Sequence, residues 1–136
     1  MRKSRKKLYP AIPTKYKGVS YQSRLEARWA LFFENAGIKF MYEPRGPGQL
    51  PDFSFLDKSG EAYTIEVKGK LPNKDYIHLL WKRRVDFLGI GGFFRDSRPS
   101  LFFPRNGGKV MPVEFWKVFP FEESYRMATQ YRFEYD

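Results

Sequence analysis

SGEAYTIEVKGK, residues 59–70, decides how the rest of the chain is read. Apolar and polar residues alternate along it with the period of two that marks a strand, and Glu66 and Lys68, two apart, project from one face. Fourteen residues before Glu66 stands Asp52, at the mouth of a second short apolar run, LPDFSFL. The turn residues DKSG lie between the runs, so residues 50–56 and 61–68 are expected to pair as an antiparallel hairpin. Counting back from the turn places residue 52 opposite 65 or 66, and a slip of one residue flips its face. Two carboxylates gathered at one strand end repel, which raises the pKa of one of them. A hard divalent cation relieves that cost, and Mg²⁺ ordinarily takes one or two carboxylates together with waters and phosphate oxygens. Beside such an ion, Lys68 has two uses: stabilising charge that grows on a phosphate, or orienting and helping to deprotonate an attacking water. Alone, the tripeptide Glu-x-Lys reads more readily as a surface ion pair at an edge strand; Asp52, preceded by Pro51, makes the set less ordinary.

Working outward, SYQSRLEARWALFFENAG reads as a helix. Ser20 or Ser23 caps it, Ser23 with Glu26 matches a capping box, and Gly37 ends it. Leu25, Trp29, Phe32, Phe33 and Ala36 form its apolar stripe, and Glu26 borders that stripe. IKFMYEP follows as a strand. Beyond the hairpin, residues 73–89 read as a second helix, RPSLFFP as a short buried strand, and residues 122–129 as a short helix. The expected architecture is α/β, a mixed sheet covered by helices. Residues 1–18 are expected to be a basic arm and residues 19–136 one domain.

The chain has 136 residues, enough for one domain with a real core, and 42% of them are apolar. It has no cysteine, which removes disulfides, thiolate metal sites and cysteine nucleophiles, and His78 is its single histidine. No apolar run approaches the roughly 18 residues of a membrane helix. A soluble, cytoplasmic protein without a membrane partner is expected, in the host cytoplasm if the chain is phage-encoded. The net charge of +10 favours a polyanionic partner, and half of that excess lies in MRKSRKK, where Arg2, Lys3, Arg5, Lys6 and Lys7 are positioned to seek phosphates or to form a solvated tail.

PDF at residues 51–53 followed by EVK at 66–68 resembles the signature of the PD-(D/E)XK nuclease superfamily. The helix and strand of SRLEARWALFFENAGIKFMYEP resemble the entry segment of small phage-encoded members, closest to Holliday junction resolvases and the endonuclease I group. The likeness spans residues 20–88. It implies a restriction-endonuclease-like αβββαβ core and a Mg²⁺-dependent DNA endonuclease, with Mn²⁺ as a substitute ion. It also implies roles: Asp52, Glu66 and the Val67 carbonyl as metal ligands, Glu26 as the helical acid of the cluster, and Lys68 as the catalytic lysine. Branched DNA would be the substrate, and resolution by two coordinated cuts would make the protein a homodimer. Other specificities on the same fold (restriction-type, nicking or flap cleavage) remain open.

Other residues carry weaker expectations. Lys70 and Lys74, just past the EVK strand, are placed to meet a scissile-strand phosphate. Arg105 and Lys109 flank the glycine pair in FPRNGGKV, a loop or hairpin expected near substrate. Lys82, Arg83 and Arg84 are as readily a solvated helical face as phosphate ligands, and His78 is expected on a helix surface. Most of the aromatic residues are expected in the core. The competing reading is a nucleic-acid-binding protein without catalysis. Against it stand Glu26, Asp52 and Glu66, because acids weaken phosphate binding unless a cation accompanies them.

Overall fold

The computed structural model describes residues 12–57, 59–93, 98–119 and 128. A hairpin of β1 (Thr14–Tyr16) and β2 (Val19–Tyr21) leads into helix α1 (Arg24–Asn35). A six-stranded mixed sheet follows: β3 (Phe40–Tyr42), β4 (Phe53–Leu56), β5 (Ala62–Lys68), β6 (Phe87–Ile90), β7 (Ser100–Arg105) and β8 (Lys109–Val113). Helix α2 (Lys74–Lys82) connects β5 to β6, and the short helix α3 (Phe115–Val118) follows β8. The sheet order is β3-β4-β5-β6-β7-β8, and β5–β6 is its one parallel pairing. The protein is therefore a mixed α/β fold, and α1-β3-β4-β5-α2-β6 runs in the order expected from the sequence.

Helix α1 starts where the capping box places it, with the Ser23 side chain accepting from the Glu26 N–H at 3.1 Å. Trp29, Phe32 and Phe33 are fully buried and pack with Phe53, Phe93, Phe115 and Phe119 on one face of the sheet. Ile77 and Leu80 of α2 pack with Val85 and Leu88 on the other. Phe87 and Leu88 are adjacent yet join different clusters, as strand alternation requires, so the sheet is covered on both faces.

Three expectations change. The second helix ends at Lys82 rather than near residue 89: Arg83 caps it and Arg84 adopts a left-handed φ of 60°. FLGI beyond it is strand β6, whose parallel pairing and burial on both faces give a continuous apolar run that periodicity alone cannot separate from helix. RPSLFFP is thus not the first strand after α2 but the second, β7. Finally, the end of the expected arm is structured. Lys17 and Gly18, both at positive φ, turn β1 into β2, and Tyr16 is buried, with its hydroxyl donating to Glu34 of α1. The rest of the arm and most of the expected helix at residues 122–129 lie outside the described residues.

Candidate active site

Hairpin register builds the centre. Phe53 pairs with Ile65 and Ser54 with Thr64, so Asp52 comes level with Glu66. The Asp52 N–H donates to Glu66 Oε1 at 3.1 Å, and the Val67 N–H donates to Asp52 Oδ2 at 2.9 Å. These two bonds lock the carboxylates to each other's backbone. Glu66 is only 2% exposed, although it is an acid. Its Oε2 accepts from the Tyr76 hydroxyl at 2.6 Å and lies 3.7 Å from Lys68 Nζ. Lys68 Nζ also sits over the Tyr76 ring, 4.9 Å from its centroid. Tyr76, from the first turns of α2, thus touches both charged partners.

Glu26 approaches from α1, where the Tyr42 hydroxyl donates to its Oε1. Tyr42 lies on β3 directly opposite Phe53, next to Asp52, so one tyrosine links the helix to the start of the hairpin. Electrostatics report the proximity of the acids. Burial, then the charges of Glu66 and Glu26, push the Asp52 carboxyl well above its ordinary value, against the Val67 N–H and Lys68, which favour the charged form. Glu26 is raised as well, first by burial, with Glu66 and Glu43 adding to the shift and the Tyr42 hydroxyl opposing it. Tyr76 is driven above the usual phenol range by burial and by the Glu66 charge it faces.

The structure therefore brings together Glu26, Asp52, Glu66 and Lys68, with Val67 buried between the last two. The remaining expected residues are spread more widely. Lys70 is exposed just beyond β5, Lys74 opens α2, and Arg105 and Lys109 face each other across β7 and β8. Arg2, Lys3, Arg5, Lys6 and Lys7 lie outside the described residues. Tyr42, Tyr76 and Glu43 were not singled out from the sequence. Tyr42 left a signal, since it follows Phe40 and Met41 on a strand, where a phenol needs an acceptor once buried, whereas Tyr76, between Asp75 and Ile77, left none. Glu43, whose φ is 51°, accepts from Gln22 Nε2 at 2.8 Å and forms the rim beside Glu26.

Among the described residues, no group of three or more acids or histidines is arranged to enclose a metal ion on its own. Mg²⁺ asks less of the protein, one or two carboxylates with water and phosphate completing its shell. Asp52 and Glu66 fit that demand. They are hard oxygen donors held side by side, and Asp52 Oδ1 accepts no hydrogen bond among the described residues. Comparison with known proteins adds no relative: no family model matches the chain, and neither a curated protein nor a solved structure matches it.

Tyr76→Phe is expected to slow any reaction at this site by about tenfold, the lower range for a residue that orients a ligand, while the melting temperature stays within a few degrees. Parallel rate and melting measurements check it; an unchanged rate would remove Tyr76 from the site.

Proposed function

We propose that the protein is a Mg²⁺-dependent DNA endonuclease on a restriction-endonuclease-like αβββαβ core, with Mn²⁺ as an alternative ion. One observation carries the reading: Asp52 and Glu66 are interlocked across the hairpin beside Lys68, with Glu26 within electrostatic reach. A protein that only binds phosphates gains nothing from burying Glu26 and Asp52 with raised carboxyl pKa values beside Glu66, whereas a cation and a phosphodiester together relieve that cost. Asp52, Glu66 and the Val67 carbonyl would hold the ion, with Glu26 at the edge of the cluster. A bound Mg²⁺ supplies positive charge at the scissile phosphate and lowers the pKa of water. Lys68, steadied by Glu66 and the Tyr76 ring, presents its ammonium to the charge developing on the phosphate oxygens. Tyr76 keeps Glu66 in place, and Tyr42 keeps Glu26 in place.

Branched DNA is the substrate class we favour, cut as a Holliday junction by a homodimer, in the cytoplasm. That choice rests on the EVK and PDF resemblance, the small domain and the basic N-terminus. Among the described residues, no helix is long and apolar enough to cross a membrane.

Cleavage of a labelled four-way junction, a linear duplex and a single strand tests the proposal, with Mg²⁺ or chelator, for wild type and Glu66→Ala. Paired symmetric nicks in the junction alone, lost with chelator and in the variant, are expected. Equal cutting of linear DNA would keep the nuclease and discard the junction. Binding without cleavage under Mg²⁺ or Mn²⁺ would leave the alternative, a nucleic-acid-binding protein on a nuclease-like fold.

A further inference from the structure

Trp81, in the last turn of α2, is the one phenylalanine, tyrosine or tryptophan among the described residues that stays exposed, at 40%. The other large apolar side chains left exposed, Ile12, Val19, Met41, Leu56, Leu71 and Met111, are aliphatic or thioether. Elsewhere the fold seals its rings, as with Trp29, Phe32 and Phe119. Buried Ile77 and Leu80 lie beside Trp81 on the helix, yet the indole borders their stripe without entering it.

The ring is held in place. His78, one turn before it, stacks on the indole with centroids 5.6 Å apart and planes 22° from parallel. His78 is itself fixed, since its Nδ1 accepts from the Gly107 N–H at 2.9 Å. Gly107 and Gly108, at φ 82° and 80°, lie in the turn between β7 and β8. A Cβ on Gly108 would fall 2.4 Å from the Lys74 carbonyl oxygen, so the hairpin tip is seated directly on the α2 backbone. An exposed ring that is already fastened loses little freedom when a ligand stacks on it.

The surroundings select the ligand. Lys82, Arg83 and Arg84 follow Trp81 directly, all are exposed, and among the described residues none forms an ion pair. Their charge acts as a field around the ring rather than as a grip on one phosphate, and it favours a polyanion. A second copy of this chain would instead bring its own net charge of +10 against them. A polyanion that also offers flat π faces is a nucleic acid. Inside a duplex those faces are covered by neighbouring pairs, so an indole on a helix surface reaches only a base that is unpaired or at a strand end.

We propose that Trp81, backed by His78, is a stacking platform for an unpaired nucleobase of a DNA strand. It lies five residues beyond Tyr76, about 7.5 Å further along the helix axis, so the platform and the candidate active site share one support. That the strand is DNA rests on the nuclease reading above; the stacking itself does not.

The test is fluorescence anisotropy in chelator, so that binding is read without cleavage. The probes are a labelled DNA strand of about 16 nucleotides, the same strand in a blunt duplex, and an abasic strand of equal length. Trp81→Ala is expected to bind the single strand about 10- to 100-fold more weakly, the scale of one lost base stack, and to leave the duplex and the abasic strand nearly unmoved. Its slope of log affinity against log salt should match wild type across about 50 to 200 mM, because no cation has been removed. Trp81→Phe should retain most of the affinity, and Trp81→Leu, apolar but without a π face, should behave like the alanine variant. Trp29 is buried and Trp116 half-buried, so quenching of wild-type emission by the single strand reports Trp81 with no substitution at all. Unquenched emission, wild-type affinity in Trp81→Ala, or equal losses on all three probes would overturn the platform. So would a wild-type dimer that Trp81→Ala turns into a monomer, since the ring would then be covered by a second copy. Tighter binding to an RNA strand would overturn the assignment to DNA. A wild type that never cuts, but whose single-strand affinity depends on Trp81, keeps the platform and removes the nuclease. A wild type that cuts, with an affinity indifferent to Trp81, does the reverse.

Discussion

On the proposed endonuclease reading, Glu66→Gln and Asp52→Asn are each expected to lower the cleavage rate by on the order of 10³-fold, the scale on which preorganised charge is lost from a reaction centre. Both replacements keep the side chain's size and an acceptor for the backbone N–H that each carboxylate now engages. Without metal, Asp52→Asn should move stability the other way. Its folded-state pKa lies well above 3.8, so the folded protein binds the proton more tightly than the unfolded chain. Stability contributed by this group is therefore full below about pH 3.8 and is lost as pH rises through the raised folded value. Glu26 adds to the same trend from its ordinary value of 4.5 upward. At neutral pH in chelator, Asp52→Asn should melt a few degrees above wild type, and Mg²⁺ should raise the wild-type midpoint while leaving the variant nearly unmoved. Melting curves at several pH values, with and without Mg²⁺, check this. A variant that melts lower than wild type in chelator would show that the acids do not repel.

The second large effect lies in the core. Trp29 is fully buried and contacts rings from α1, α3 and the segment after β6, so Trp29→Ala should cost about 3–5 kcal/mol. That is a large share of the roughly 5–15 kcal/mol that holds a domain together, and denaturant titration should show the midpoint collapse. Gly89 on β6 lies against that ring, since a Cβ there would lie 2.8 Å from Trp29 Cζ2. Gly89→Ala should cost about 1–3 kcal/mol by overpacking, and less in a Trp29→Phe background. Among the described residues the indole N–H of Trp29 has no hydrogen-bond partner, so the phenylalanine forfeits packing area but no bond there. Additive costs in the double variant would show that the glycine is not there to admit the indole.

The meeting of Asp52, Glu66 and Lys68 was legible in the sequence because two local rules fix it. A strand returns to the same face every two residues, and a short turn sets which residues oppose. Of the two positions open for Asp52, pairing with residue 66 is the one adopted. The cap at Ser23 was legible for the same reason: its chemistry lies within four residues. Strand β6 was not, because a strand buried on both faces has no alternation to detect, and its helix-like lead-in was ended by one left-handed arginine. Strand β8 was hidden by Pro112, which argues against a central strand and is tolerated because β8 lies at the sheet edge. The β1–β2 hairpin was hidden in a basic, proline-containing stretch whose two-residue turn uses Lys17 where asparagine or aspartate is the usual signal. Tyr76 and Tyr42 are partners across tertiary space, which no spacing rule reaches.

Every strand of the six-stranded sheet lies beside its neighbour in sequence. As the chain leaves the ribosome, each strand can add to an edge already present, with a single crossover, through α2, to slow the process. Glu26, Asp52, Glu66 and Lys68 all emerge in the first half of the chain, ahead of the β7–β8 hairpin. Basic residues 2–7 emerge earlier still. A nascent chain therefore carries its basic residues 2–7, and then the whole acid and lysine cluster, well before the hairpin that packs on α2 has been made.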